Sequence, residues 1–340
     1  PTQRGFDRFH GFLGDMMDDY YNHRRHGKNY MMLNTTEIDP AGHATDLFTQ
    51  WAVDYIRSRV SDNRPFFLYL AYNGPYGLHT CIRGEPKNSH AATYAGNDMT
   101  SYPREPTHPW LRTNREHIGN VASMRNYASQ VSLVDDGVGE VLATLKQLGL
   151  DRNTLVIFTA DQGMAGGHGG FWGMGDHTRP RTIYDWTLHV PLIIRQPGKV
   201  AAGKTVDHLV ANYDILPSVL GQIGLADRIP RKPRGPGRDF SPCLRGEQLE
   251  WEDVVFGERC IIKPNSVIGE YGFGFEYDDD GTPFHFPHLG QIVLEDEVWI
   301  GSCTTIELAA LGTTRVGTGT KVDDLVQIGH NVMVGKNTLI

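Results

Sequence analysis

The 340-residue sequence is short of several features that would classify a protein at once. It has four cysteines, Cys81, Cys243, Cys260 and Cys303, so widely spaced that no metal-type pairing emerges and the redox compartment is left open. Its longest apolar runs, 66–72 and 155–158, are far too short to span a bilayer, which predicts no membrane segment. It has no excess of basic charge: Lys plus Arg is 32 against 40 Asp plus Glu, a formal net charge of −8, which argues against a nucleic-acid binder that neutralises phosphates. The opening residues show no charged-then-apolar leader, so localisation is not read from them. The 39 glycines and 19 prolines imply many turns, while 39% hydrophobic residues exclude a disordered chain. The length suggests two domains.

Charge separates two regions. Residues 259–340 hold 5 basic and 11 acidic side chains, whereas 1–258 hold 27 and 29. Within the first region, 1–45 lack a clean period and suit an irregular segment wrapping a scaffold. Leu47, Trp51, Tyr55 and Ile56 then predict an amphipathic helix over 45–59, followed by a strand at 66–72. Gly, Pro, Asn and His crowd 74–115, a long excursion of the kind that is functional or mobile in compact domains. Across Met124–Leu148, Val131, Val134, Val138, Val141, Leu142, Leu145 and Leu148 form a helical stripe ending at Gly149. Leu155-Val156-Ile157-Phe158 predicts a strand covered on both faces, 190–195 another strand and 214–223 a helix. This alternation indicates an α/β sheet.

From about Arg259 the pattern changes to steps of six: Ile262 and Ile268; Leu294, Ile300 and Ile306; Val316, Val322, Ile328, Val334 and Ile340. Fifth positions are small or β-branched (Thr320, Val326, Val332, Thr338). No helical period produces this; a parallel β-helix with inward aliphatics does. The interval 271–293 has to loop out of it.

Two clusters carry candidate chemistry. After strand 155–158 come Asp161 and Gln162, where α/β sheets usually bind ligands; their oxygens suit Ca2+ or Mg2+. On spacing alone a turn-capping Asp161 with a solvent-facing Gln162 is the favoured reading. His168, His177, Arg179 and Arg181 follow. Resemblance shifts that balance. The runs Phe66-Phe67-Leu68-Tyr69-Leu70-Ala71-Tyr72-Asn73, Asn153-Thr154-Leu155-Val156-Ile157-Phe158-Thr159-Ala160-Asp161-Gln162-Gly163, His189-Val190-Pro191-Leu192-Ile193 and Asp214-Ile215-Leu216-Pro217-Ser218 resemble the later part of a type I sulfatase of the alkaline-phosphatase superfamily, over nearly all of 1–258. The resemblance implies an alkaline-phosphatase-like α/β domain, a sulfate ester as substrate, a partial, weak Ca2+ site at Asp161 and Gln162, sulfate contacts from His168, His177 and Arg179, and a periplasmic or secreted protein. The family's Cys or Ser-x-Pro-x-Arg nucleophile, the precursor of formylglycine, is absent from these residues, so the region is expected to be inactive as a sulfatase. The Asp135-Asp136 pair lies in the helical stripe and reads as a solvated face. The basic segment Arg228, Arg231, Lys232, Arg234 and Arg238 reads as a solvated linker.

The second cluster is Leu325-Val326-Gln327-Ile328-Gly329-His330-Asn331-Val332, with Gly272-Phe273-Gly274-Phe275 upstream. It resembles UDP-3-O-acylglucosamine N-acyltransferases of lipid A synthesis, over about 259–340. That resemblance implies a truncated left-handed parallel β-helix, a homotrimer, a UDP-sugar substrate, an acyl carrier protein as partner, a cytoplasmic location, and His330 as the catalytic general base pointing outward between Ile328 and Val332. Where many relatives have Ile-Asp-Arg-Gly, this chain has Ile306-Glu307-Leu308-Ala309. The combined expectation is a sulfatase-like domain over 1–258, lacking its nucleophile segment, fused to an acyltransferase-like β-helix over 259–340. The alternatives are a non-catalytic binding or scaffold protein, or N-acyltransfer as the one retained activity.

Overall fold

The computed structural model describes all residues except 63, 180, 183, 207, 209, 230–236, 248–253, 278–280, 286, 287 and 289. It divides into two compact units, Pro1–Pro197 and Gly198–Ile340. Of the basic segment, Arg231, Lys232 and Arg234 lie outside the described residues.

In the first unit two helices carry the packing. Ala44–Ser58 buries Phe48, Ala52, Val53 and Ile56 on one stripe, and its first turn is capped by the buried His43, whose Nδ1 accepts the Thr45 N–H at 3.2 Å. Val121–Gln147 begins at Asn120, whose side chain accepts from Ser123 N. It buries Met124, Leu133, Val134 and Leu145 and turns Asp135 and Asp136 to solvent; of the predicted stripe Val134 and Leu145 are buried, Val138, Val141, Leu142 and Leu148 are half-buried, and Val131 is exposed. Leu78, Ile82, Leu111, Met124 and Trp172 form the central cluster, each fully buried aliphatic adding roughly 1.5–3 kcal/mol of transfer free energy. The Trp172 indole N–H donates to Gly77 O at 2.6 Å, so even the largest core side chain leaves no donor stranded.

Three local expectations change. Residues 1–45 form an antiparallel sheet of His10–Phe12, Met31–Leu33 and Thr36–Glu37 beside a short hairpin, Arg24–Arg25 with Lys28–Asn29. The strand at 155–158 becomes Val156–Thr159, paired antiparallel with Leu192–Arg195. Its residues are half-buried and Ile193 is 60% exposed, so this ladder is not covered on both faces. Residues 66–72 alternate strictly between half-buried and exposed, with Phe67 and Tyr69 outward; the period is that of a strand, yet no ladder partner lies alongside among the described residues. A pleated side-chain pattern is a local property, whereas a ladder needs a neighbour.

The second unit begins with helix Ile215–Gln222. The fully buried Asp214 before it accepts Ala211 N–H at 2.8 Å and Arg238 N–H at 2.7 Å, and Ser218 Oγ accepts Phe240 N–H. The Asp-Ile-Leu-Pro-Ser run therefore ties a loop to its helix. Beyond it stand three parallel sheets. Val267–Tyr271, Thr305–Leu308 and Gln327–Ile328 form one; Val254–Phe256, Gln291–Leu294, Thr313–Val316 and Met333–Val334 the second; Ile261–Ile262, Trp299–Ile300 and Lys321–Val322 the third. Leu294, Ile300, Ile306, Val316, Val322 and Ile328 fill the space between them. Val254–Phe256, which the sequence pattern assigns to the end of the α/β region, is a rung of this stack.

Register explains the spacing. Arg315 pairs with Met333 and Lys321 with Leu339, 18 residues apart, or three hexads per coil. Trp299 pairs with Lys321 and Thr305 with Gln327, 22 apart; Ile261 pairs with Trp299 and Val267 with Thr305, 38 apart. Both surpluses fall between the first sheet and the second, at 309–312 and within 272–290. Between those same two sheets, in the coil without an insertion, stand His330 and Asn331. The looped-out interval contains a hairpin, Phe275–Tyr277 with Pro283–His285. Between coils, Thr304 Oγ1 donates to Asp323 O and Thr320 Oγ1 to Gly335 O, both at 2.8 Å, which satisfies these buried hydroxyls. At Gly301 a Cβ would run into the main chain of Asp323 in the next coil, a physical reason for glycine after the inward aliphatic.

Candidate functional site

In the first unit the strand end delivers Asp161 and Gln162 to an exposed loop. Asp161 Oδ1 accepts the Gln162 N–H at 2.9 Å, the turn-capping geometry. Gln162 Nε2 donates to Met174 Sδ, joining this loop to 171–175. His168 is exposed, its ring stacked against Trp186 with centroids 5.7 Å apart. His177 is half-buried, with Nδ1 3.0 Å from Thr113 Oγ1 and Nε2 3.4 Å from Asp176 Oδ1. Arg179 Nη1 donates to Asp176 O and Thr178 O at 3.0 and 2.8 Å, so part of its fork holds its own loop.

Neither Cys81 nor Cys243 is a poised nucleophile on this geometry. Cys81 is buried, its thiol donates to Met17 O at 2.9 Å, and burial pushes its pKa up to about 12; a thiol kept protonated is a poor nucleophile. Burial also raises Cys243.

The denser constellation lies at the corner of the second unit. His330 is half-buried rather than projecting freely, because the His288 ring packs edge-on against it at 4.9 Å between centroids. His288 is 2% exposed and Glu307 5%. Glu307 Oε2 accepts the His330 main-chain N–H at 3.2 Å, and its Oε1 accepts from Gln327 Nε2. One buried carboxylate thus ties the rung before the turn to the turn itself. Gly272 passes so close that a Cβ there would collide with Glu307 Oε2 and stand 2.8 Å from His330 Cδ2 and 3.0 Å from His288 Nε2. Tyr271 and His285 complete the wall, at 5.9 and 5.7 Å from His288.

The resemblance of the run Leu325–Val332 to the acyltransferases singled out His330, and the same run contains Gln327. It did not point to His288, to Glu307 as a partner, or to Gly272 as a close approach. The usable signal was the break of the six-residue step at 271–293, since an insertion in a stacked coil has to project from a corner.

A family model described as Sulfatase matches residues 1–225, two thirds of the chain. The chain belongs to the sulfatase family. This sulfatase-family chain is 29% identical to the Endo-4-O-sulfatase of Bacteroides thetaiotaomicron over 241 residues, 69% of the chain and 42% of that relative. A separate 26% of it is 47% identical, over 94 residues, to the UDP-3-O-acylglucosamine N-acyltransferase of Anaeromyxobacter dehalogenans, covering 27% of that enzyme. The chain thus spans less than half the length of either curated relative. Among solved structures, a Bacteroides thetaiotaomicron protein from the metabolism of multiple glycosaminoglycans superposes with a TM-score of 0.56 at 23% identity, covering 84% of this chain and 53% of that one. A protein in complex with its substrate D-glucosamine-2-N,6-O-disulfate superposes with a TM-score of 0.57 at 20% identity, covering 73% and 61%. These likenesses establish the alkaline-phosphatase-like sulfatase fold.

Sulfatases generally bind Ca2+. The sulfatase-family region here offers Asp161 and Gln162 on an exposed turn, and among the described residues no group of three or more His, Cys, Asp or Glu is placed to hold a metal ion. That donor set does not fit a cation that takes 6–8 oxygens.

Proposed function

We propose that the chemistry carried by these 340 residues is the acceptor half of an N-acyl transfer at the His330 corner, and that the sulfatase-family region binds without turning over sulfate esters. On this reading the three parallel sheets are the faces of a left-handed β-helix, as in the acyltransferases that the second region matches. The observation that carries it is the enclosure of His330 by His288, Glu307 and Gly272, with the His330 turn tied to the buried Glu307 carboxylate. Imidazole is the side chain suited to exchanging a proton near neutral pH, so a histidine held at a lined corner can take the proton of an incoming amine.

The step balances with this chain's own groups. The amine of a UDP-linked glucosamine attacks the carbonyl carbon of an acyl thioester presented by an acyl carrier protein, forming the C–N bond. His330 Nε2 takes the amine proton; the C–S bond breaks and the proton passes to the departing thiolate. Neutral imidazole is regenerated. A homotrimer of β-helices provides the donor face of the site on this reading. In the sulfatase-family region Asp161 and Gln162 supply two oxygens of an incomplete cation site, too few to hold Ca2+ by themselves, and His168, His177 and Arg179 serve as sulfate contacts. The two regions meet between 225, where the sulfatase match ends, and 254, where the first rung starts.

The test is acyl transfer from acyl carrier protein to UDP-3-O-acylglucosamine, with the chain extended by an acyltransferase's own N-terminal domain and later coils. Activity that falls by two orders of magnitude or more in His330→Ala, the usual worth of a general base, supports the reading. Full activity in that variant overturns it. Separately, arylsulfate hydrolysis lost in Asp161→Ala would refute the claim that the sulfatase-family region is inert.

A further inference from the structure

A neutral imidazole has one N–H and one lone pair, and only the nitrogen bearing the lone pair can act as a base. Which nitrogen that is depends on the partner of the other. For His330 the partner is Asn331: the imidazole Nδ1 lies 3.1 Å from Asn331 Oδ1. A carboxamide can offer either an oxygen or an N–H to that contact, so its orientation decides the tautomer.

The orientation of Asn331 is fixed from the other side by main chain. Its Oδ1 also accepts the Ala310 N–H at 2.9 Å, while its Nδ2 donates to Leu311 O. Turning the amide over would set two N–H groups against each other at Ala310 and two oxygens against each other at Leu311. Both partners belong to the four-residue surplus 309–312 in the coil beneath. The Asn331 main-chain N–H is held in turn by Thr314 Oγ1 at 2.8 Å, and the residue sits at φ +61°, a left-handed conformation that asparagine tolerates well.

We propose that Asn331 is the positioning residue of the corner. Its oxygen, pinned by Ala310 and Leu311, accepts Nδ1–H from His330 and leaves Nε2 as the basic nitrogen. This inference rests on the acyl-transfer reading only for its purpose, since the tautomer is a property of the unliganded chain. It also gives the 309–312 insertion a role, as the template that holds the amide.

The experiment is nitrogen-15 NMR of the histidine side chains in the full chain at pH 8, with the His330 signals identified by their loss in His330→Gln. Wild type should show a protonated Nδ1 and an unprotonated Nε2. Asn331→Gly, which keeps the left-handed backbone available but removes the amide, should move the population toward the Nε2–H form. Asn331→Asp, which still accepts from Nδ1 and Ala310, should retain the wild-type tautomer and raise the imidazole pKa through the added negative charge. A wild-type Nε2–H tautomer, or an unchanged tautomer in Asn331→Gly, overturns the proposal. The expected tautomers together with acyl transfer indifferent to His330→Ala would instead overturn the acyl-transfer reading and leave this assignment standing.

Discussion

Acid should loosen the start of helix Ala44–Ser58 well before it titrates the carboxylates. His43 caps that helix by accepting the Thr45 N–H on Nδ1, is 3% exposed, and stacks on Tyr20 with ring centroids 4.9 Å apart. Burial, aided by the neighbouring His23, lowers its pKa from 6.5 to about 4, against the opposing pull of the Asp19 charge and a hydrogen bond with the Gln130 side chain. Protonation would also put a hydrogen on the nitrogen that has to accept. The unfolded chain therefore binds the proton first as pH falls, and stability present above pH 6.5 is lost down to about pH 4. Between those two pKa values each pH unit removes about 1.36 kcal/mol, so the full loss is about 3 kcal/mol, of which about 2 kcal/mol is gone by pH 5. The assay is hydrogen exchange of peptides covering 44–58 between pH 8 and pH 4.5, corrected for intrinsic exchange, in wild type and His43→Asn. Asparagine is a favoured N-cap without a titrating group, so the variant should open more easily at pH 8 but lose about 2 kcal/mol less on acidification to pH 5. An identical pH slope in the two proteins would refute the assignment.

Packing sets the remaining outcomes. Gly137→Ala should destabilise by roughly 1–3 kcal/mol although it replaces glycine within a helix, because its Cβ would collide with Thr49 Oγ1 and stand 2.6 Å from Tyr72 Oη; urea unfolding midpoints measure it, and a stabilised variant would contradict the packing. Ile300→Ala, between fully buried neighbours of the stack, should cost about 2–5 kcal/mol, read from protection of the rungs on either side. Gly272→Ala should abolish acyl transfer in the extended chain while the rungs stay protected, since its Cβ would displace Glu307 and His330 at the corner; an active variant would show that the close approach is dispensable. Calcium should bind these 340 residues only at millimolar concentration, because two oxygens leave most coordination sites to water; a calorimetric titration showing sub-micromolar affinity would contradict this.

Whatever repeats locally was legible in the residues alone. The 3.6-residue stripes located both long helices of the first unit to within about three residues, and the step of six located the inward column from Leu294 to Ile328, because each pattern records which side of one element meets the core. The motif around His330 supplied the residue on which the corner is built. Features that depend on a second segment arriving had to wait for the assembled fold. The run 66–72 keeps a strand's alternation without a ladder among the described residues, and Val156–Thr159 pairs antiparallel with its residues only partly buried, since neither a partner nor a cover is encoded in the strand itself. Likewise His288, Glu307 and Gly272 meet His330 from positions up to 58 residues away. Only the stacking of unequal coils, with both surpluses at one corner, brings them together; the hexad pattern names the inward residues of each coil but says nothing about what an interruption will cover.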